Sequence, residues 1–133
     1  MKHEIESWIE GAAQSRGFLA DRVREEIAAG IQMQAKSKFV LDNPRAWWMS
    51  LSRPYEQFDS TKMNLSDVLP ARTGRGWLIA ETETPNLPVY SVDLGELPAL
   101  LEECPYFEYY VLGSDLSWIV AETDHNVYFV CRA

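Results

Sequence analysis

The spacing of apolar residues changes near Gly76 and divides the chain into two halves. In the first half, apolar side chains recur every three or four residues, which is the spacing of one helix face. They form two series, Ile5, Trp8, Ile9 and Ala12, and then Leu19, Val23, Ile27 and Ile31. This spacing predicts a helix over residues 3–15, ended by Gly17, and a second helix from residue 19 to about residue 35.

Three shorter segments complete the first half. Residues 43–51 place an Asn-Pro cap before two consecutive tryptophans, which predicts a short helix. Residues 54–63 are expected to be irregular. Residues 64–69 are expected to form one more helical turn, because Asn64 and Asp67 have the spacing of a capping box.

After Gly76 the pattern becomes one of short β-favouring runs bounded by turn residues. Five strands are predicted, over residues 77–82, 87–92, 106–112, 116–123 and 127–132. A leucine-rich helix is predicted between the second and third strands, and turn residues between the last three predict an antiparallel meander. We therefore expect one α+β domain over residues 1–133, mostly helical to about residue 70. Residues 76–132 would form a mainly antiparallel sheet with one inserted helix.

One seven-residue pattern occurs twice in the second half. Residues 77–83 read WLIAETE, residues 118–124 read WIVAETD, and a Val-Tyr pair follows each copy. Two copies predict two similar hairpins within one sheet, since a solenoid requires at least three. Two carboxylates at matching strand ends, Glu81 and Glu122, could approach each other, which would raise one pKa and suit acid/base chemistry. The alternative is that each glutamate marks where its strand leaves the core.

The charge is distributed unevenly. The chain has 12 Lys and Arg against 20 Asp and Glu, a net charge of −8, and residues 76–131 contain no Lys or Arg. A negative field repels phosphate backbones, so nucleic acids and anionic membranes are not expected as ligands. No apolar run approaches the ~18 residues of a membrane span. The acidic, amphipathic start is unlike a signal peptide, and Cys104 and Cys131 are too few for a disulfide framework. We therefore expect a cytoplasmic location.

No motif in the chain names a reaction. Two histidines at opposite ends and two cysteines do not have zinc-ligand spacing, and no glycine-rich phosphate loop occurs, so no metal and no cofactor are expected. Catalytic residues are not assigned. One interpretation of the acidic residues of the second half is a surface that attracts a basic protein partner, and the alternative is ordinary solubility charge on a small domain. The candidate residues are Glu81, Glu83, Glu122, Asp124 and His125.

The C-terminal third resembles a family of small bacterial proteins to which no activity is assigned. The resemblance rests on the run CPYFEYY at residues 104–110, followed by Trp118, Glu122 and His125 in the pattern W-x-x-x-E-x-x-H. Residues 47–51, WWMSL, resemble the middle section of that family. More loosely, the size, acidity and order of elements resemble the SMI1/KNR4-type (SUKH) immunity proteins, which neutralise bacterial toxins by binding them. No functional residue is transferred from either resemblance.

These observations favour a non-enzymatic protein-binding domain, most concretely an immunity-type protein that blocks a basic toxin with its acidic half. A second interpretation is a small acidic secretion chaperone that binds an extended segment. A third is an enzyme that uses Glu81, Glu122 and His125. The sequence gives neither the identity of the partner nor the oligomeric state.

Overall fold

Seven strands pair into one antiparallel sheet. The computed structural model describes residues 3–133, so residues 1 and 2 of the expected domain lie outside the described residues. The strands are β1 (Ala20–Arg22), β2 (Tyr55–Asp59), β3 (Arg75–Ala80), β4 (Val89–Asp93), β5 (Tyr109–Gly113), β6 (Trp118–Thr123) and β7 (Val127–Arg132). Their order across the sheet is β1-β4-β3-β5-β6-β7-β2.

Helices cover both faces of this sheet. They are α1 (Glu4–Arg16), α2 (Glu25–Phe39), a 3-10 helix (Trp47–Ser50), α3 (Leu65–Val68) and α4 (Leu97–Glu102). Buried residues of α1, α3 and α4 pack on one face, which we call the α1 face. Buried residues of α2 and the 3-10 helix pack on the other, the α2 face. The α+β class is therefore confirmed, with most of the helical residues in the N-terminal half.

The expected number of strands was wrong: the sheet has seven, not five. All five predicted strands are present, and β5, β6 and β7 form the expected meander. The two additional strands are β1, which pairs with β4, and β2, which pairs with β7. Both lie at the edges of the sheet and are largely exposed, so neither needs the alternating apolar pattern by which a strand is recognised.

The first helix is confirmed and its ends are well capped. The His3 side chain accepts a hydrogen bond from the Ile5 N–H at 3.1 Å, while Glu6 Oε2 accepts one from the His3 N–H at 3.2 Å. Gly17 ends the helix in the left-handed conformation, with φ of 70°. That conformation carries little cost for glycine, which explains the sharp stop.

The second helix starts later than its spacing predicts. Residues 20–22 form β1 instead, and α2 begins at Glu25 and ends at Phe39. The four-residue repeat thus crosses a strand and a helix. As a consequence Ile27, which belongs to this apolar repeat, is 47% exposed, and the buried positions of α2 are Ala28, Ala35 and Phe39.

The other short segments follow the predictions with two differences. A capping box at Asn64 and Asp67 starts α3, as expected. The predicted helix around residues 43–51 is a single 3-10 turn whose N-cap is Ala46, not Asn43. Residues 54–63, expected to be irregular, contain β2.

The repeated pattern forms two hairpins, β3–β4 and β6–β7, but its two copies face opposite ways. Trp77 pairs with Leu112 of β5, and Leu112 pairs with Ile119 of β6. Trp77 of the first copy is therefore level with Ile119 of the second copy and not with Trp118, so the two copies are offset by one residue. Because side chains alternate along a strand, a one-residue shift exchanges the two faces. Ile79 lies on the α2 face, whereas Trp118 and Val120 lie on the α1 face.

Candidate functional site

Two consecutive tyrosines of β5 each hold one of the repeated glutamates. The Tyr110 hydroxyl donates a hydrogen bond to Glu81 Oε2 at 3.0 Å on the α2 face. The Tyr109 hydroxyl donates one to Glu122 Oε1 at 2.6 Å on the α1 face. Adjacent strand residues point to opposite faces, so the sheet separates the two pairs. The carboxylates of Glu81 and Glu122 do not share a site, so of the two interpretations the one in which they approach each other is wrong.

Glu81 lies in a small polar pocket of about 190 Å³ on the α2 face, beside Lys36, Arg45 and Trp47. Only 8% of the residue is exposed. Burial raises the pKa of the Glu81 carboxyl, and the hydrogen bond from Tyr110 partly opposes this rise. Arg45 also forms a 3.3 Å ion pair with the exposed Glu83. Glu81 therefore belongs to the interior on this face.

Glu122 lies on the other face, at an open cavity of about 280 Å³. Burial raises the pKa of the Glu122 carboxyl, and the hydrogen bond from Tyr109 lowers it. Tyr128 of β7 lines the same cavity. Burial raises the pKa of Tyr128 to about 12, with a further contribution from the charge of Glu122. The cavity is thus lined by the carboxyl groups of Glu122 and Glu102 and by the side chains of Tyr109 and Tyr128.

An acidic surface surrounds Tyr106 where β5 begins and β6 ends. Tyr106 is 52% exposed, and its hydroxyl donates to the backbone oxygen of Glu122 at 3.4 Å. Burial of the hydroxyl, followed by the charges of Glu108, Glu122 and Asp124, raises the pKa of Tyr106. The Asp124 N–H donates to Glu108 Oε2 at 3.4 Å. We call Tyr106, Glu108, Glu122 and Asp124 the acidic patch.

The five candidate residues fall into different environments. Glu122 and Asp124 belong to the acidic patch. His125 is exposed beside it, with Nε2 3.5 Å from Asp124 Oδ1 and its ring 5.6 Å from that of Trp48. Glu81 is buried on the α2 face, and Glu83 is exposed and paired with Arg45. The five residues therefore do not form one continuous acidic surface.

The sequence reasoning missed two members of the acidic patch, Tyr106 and Glu108. Both belong to the CPYFEYY run, whose density of aromatic residues is more typical of a core. Phe107, Tyr109 and Tyr110 are indeed buried. Pro105 and the exposed Tyr106 precede β5, which begins at Tyr109, so they lie outside the sheet.

Comparison with protein-family models, curated proteins and solved structures gives no match for this chain. Within residues 3–133, no three His, Cys, Asp or Glu side chains converge in a way that could hold a metal ion. The same part of the chain contains no helix with the length and apolar character of a membrane span.

Proposed function

We propose that this chain is a non-enzymatic domain that binds a basic protein partner through the acidic patch. The observation that carries the proposal is the half-exposed Tyr106, whose hydroxyl feels the charges of Glu108, Glu122 and Asp124, in a stretch of chain without Lys or Arg. An aromatic face and carboxylates attract the same ligand, a guanidinium or ammonium group. We propose an immunity-type role, in which the partner is a basic toxin whose working surface becomes covered.

Charge and cysteine chemistry support two further parts of the proposal. A patch of this sign lowers the affinity for phosphate backbones, so we propose a protein partner and not a nucleic acid. Cys104 and Cys131 are free thiols, which suits the reducing cytoplasm. Long-range attraction would raise the association rate, and short contacts at Tyr106 would then hold the complex.

The proposal is tested by charge reversal with a matched control. Glu108→Lys/Asp124→Lys changes the patch, and Glu25→Lys/Glu26→Lys makes the same change in net charge at exposed positions at the start of α2. Each immobilised variant is used to capture partners from the native organism, and the association rate of the captured protein is measured. We expect the patch variant to associate roughly tenfold more slowly or worse, and the control to resemble wild type.

Salt dependence provides the second arm of this experiment. Between about 0.1 M and 1 M salt the screening length falls from about 10 Å to about 3 Å, so association with wild type should slow steeply. Capture of only acidic or neutral partners, or equal association rates for the two double variants, would sink the proposal.

A second candidate function, a secretion chaperone for an extended segment, is favoured by one observation. The edge strand β2 is exposed along most of its length and pairs on one side with β7. An extended segment could add to its outer side as a further strand. Hydrogen exchange in the complex separates the two functions. Protection of the β2 amides indicates strand addition, whereas protection around Tyr106 indicates the acidic patch. No observation favours the third interpretation, an enzyme that uses Glu81, Glu122 and His125, because the sheet separates Glu81 from Glu122.

A further inference from the structure

The cavity beside Glu122 is built from both chain halves. It opens between the α3 and α4 segments on one side and the sheet on the other. Its residues are Ser60, Met63, Asn64, Leu65, Ser66, Pro98, Leu101, Glu102, Tyr109, Glu122 and Tyr128. A volume of about 280 Å³ lies just below the usual range of small-molecule sites, about 300–1,000 Å³. It is large enough for a short alkyl chain with one polar end.

The charged residues that line this cavity are all acidic. Glu122 and Glu102 both line it, and no Lys or Arg is among its lining residues. The Tyr109 hydroxyl uses its only proton in the bond to Glu122 Oε1. Within the described chain, no group donates a hydrogen bond to the other oxygen of Glu122. Burial disfavours the ionised carboxylate, and a cation at that oxygen would offset this cost.

The remaining walls suit an alkyl stem. Met63, Pro98 and Leu101 offer apolar surface, while Ser60 and Ser66 add hydroxyls that accept hydrogen bonds. Tyr109 and Tyr128 contribute further oxygen atoms. Carboxylates together with hydroxyl oxygens are acceptors for the N–H groups of ammonium or guanidinium, and they repel an anion.

We propose that this cavity binds the charged end of an alkyl cation, a primary ammonium or a guanidinium, with Glu122 as its counter-ion. A free alkylamine carries this group, and so does a lysine or arginine side chain of the basic partner. The second source rests on the proposed function, because Glu122 belongs to both the acidic patch and the cavity.

The test is an NMR titration of the whole chain with butylammonium and with N-acetyl-arginine amide. Butanol and butyrate are the neutral and anionic controls. We expect the cations to shift the signals of Glu122, Tyr109 and Tyr128, and butanol and butyrate to leave them unchanged. Equal shifts with butanol, or cation shifts confined to residues outside the cavity, would overturn the proposal.

Two variants and a matched control locate the binding. Glu122→Gln keeps the size and the Tyr109 hydrogen bond but removes the charge, and it should weaken cation binding at least tenfold. Ser66→Leu, which puts a larger side chain into the cavity lining, should do the same even if Glu122→Gln folds poorly. Glu103→Gln removes an exposed charge that is paired with Arg16 and does not line the cavity, so it should change binding less than twofold. An equal loss in Glu103→Gln contradicts the proposal.

The partner experiment distinguishes failure of the cavity from failure of the proposed function. Butylammonium binding with charge-independent partner capture supports the cavity and removes the proposed function. Charge-dependent capture without butylammonium binding supports the proposed function and removes the cavity proposal. Where both hold, weaker partner binding by Glu122→Gln assigns the cation to a partner side chain, and unchanged partner binding assigns it to a free amine.

Discussion

The ring of Tyr110 stacks on the ring of Trp47, with centroids 4.7 Å apart and an interplanar angle of 17°. The Tyr110 hydroxyl also accepts a hydrogen bond from the Trp47 backbone N–H at 2.9 Å, while it donates to Glu81. One side chain therefore attaches the 3-10 helix to the centre of the sheet. It also supplies a buried carboxylate with its donor.

Replacement of Tyr110 by phenylalanine keeps the stacked ring and removes both hydrogen bonds. A buried N–H and a buried carboxylate then lose a partner, so we expect the free energy of unfolding to fall by about 1–3 kcal/mol. Urea denaturation measures this change. Tyr55→Phe, at an exposed edge position, is the control and should change stability by less than about 0.5 kcal/mol. Equal effects would contradict the role given to the Tyr110 hydroxyl.

The raised pKa of Glu81 predicts a pH dependence with a definite sign. The Glu81 carboxyl holds its proton more tightly in the folded chain than in the unfolded chain, where its pKa is near the ordinary value of 4.5. The resulting stability is complete below that value and is lost as the pH rises through the raised pKa.

Glu81→Gln cannot ionise, so its free energy of unfolding relative to wild type should increase between about pH 4.5 and neutrality. Urea denaturation at several pH values measures the difference. Glu122→Gln should show the same sign, because burial also raises the pKa of Glu122. A difference that stays constant over this range would show that neither carboxylate is desolvated.

Gly76 and Gly113 face each other across β3 and β5 and leave room for larger neighbours. A Cβ on Gly113 would lie 2.8 Å from Trp118 Nε1, and one on Gly76 would lie 2.8 Å from the Leu112 backbone oxygen. Gly113→Ala should therefore cost about 1–3 kcal/mol by overpacking. Gly30→Ala in α2 meets open space and should instead stabilise by up to about 1 kcal/mol. Thermal unfolding of the pair gives the signs, and a neutral Gly113→Ala would contradict the close packing of Trp118.

A buried and an exposed isoleucine provide a test of which positions belong to the core. Ile119 is 2% exposed in β6, and Ile27 is 47% exposed in α2. Ile119→Ala should cost roughly 2–5 kcal/mol, because it removes buried methyl groups and leaves a cavity. Ile27→Ala should cost less than about 1 kcal/mol, since alanine also favours the helix. Chemical denaturation decides between them, and similar losses would mean that the buried face of α2 is assigned incorrectly.

The parts of the fold that local chemistry determines could be predicted from the sequence. The meander follows from turn residues, α1 from its apolar spacing and from Gly17 as its end, and α3 from its capping box. The strands β1 and β2 could not be found in this way, because edge strands form by pairing with β4 and β7 and do not need an apolar pattern of their own.

The candidate site was predicted only in part. Glu122 was named from the repeated pattern and from charge, and Asp124 from charge, but the separation of Glu81 from Glu122 depends on the register of β5 with β3 and β6. Register is a tertiary property, and it cannot be predicted from the spacing of residues within one strand. Tyr106 could be assigned only once the start of β5 was known, because its exposure depends on that boundary.

The opposite orientation of the two repeated segments has a consequence for how the chain folds. Helices cover both faces of the sheet, so apolar side chains of β6 would still face both layers after a slip of one residue against β5. What such a slip does lose is the bond from Tyr109 to Glu122, since the carboxylate would then point into the other layer. The hydrogen bond between Tyr109 and Glu122 therefore favours the native register of β5 and β6 over this alternative.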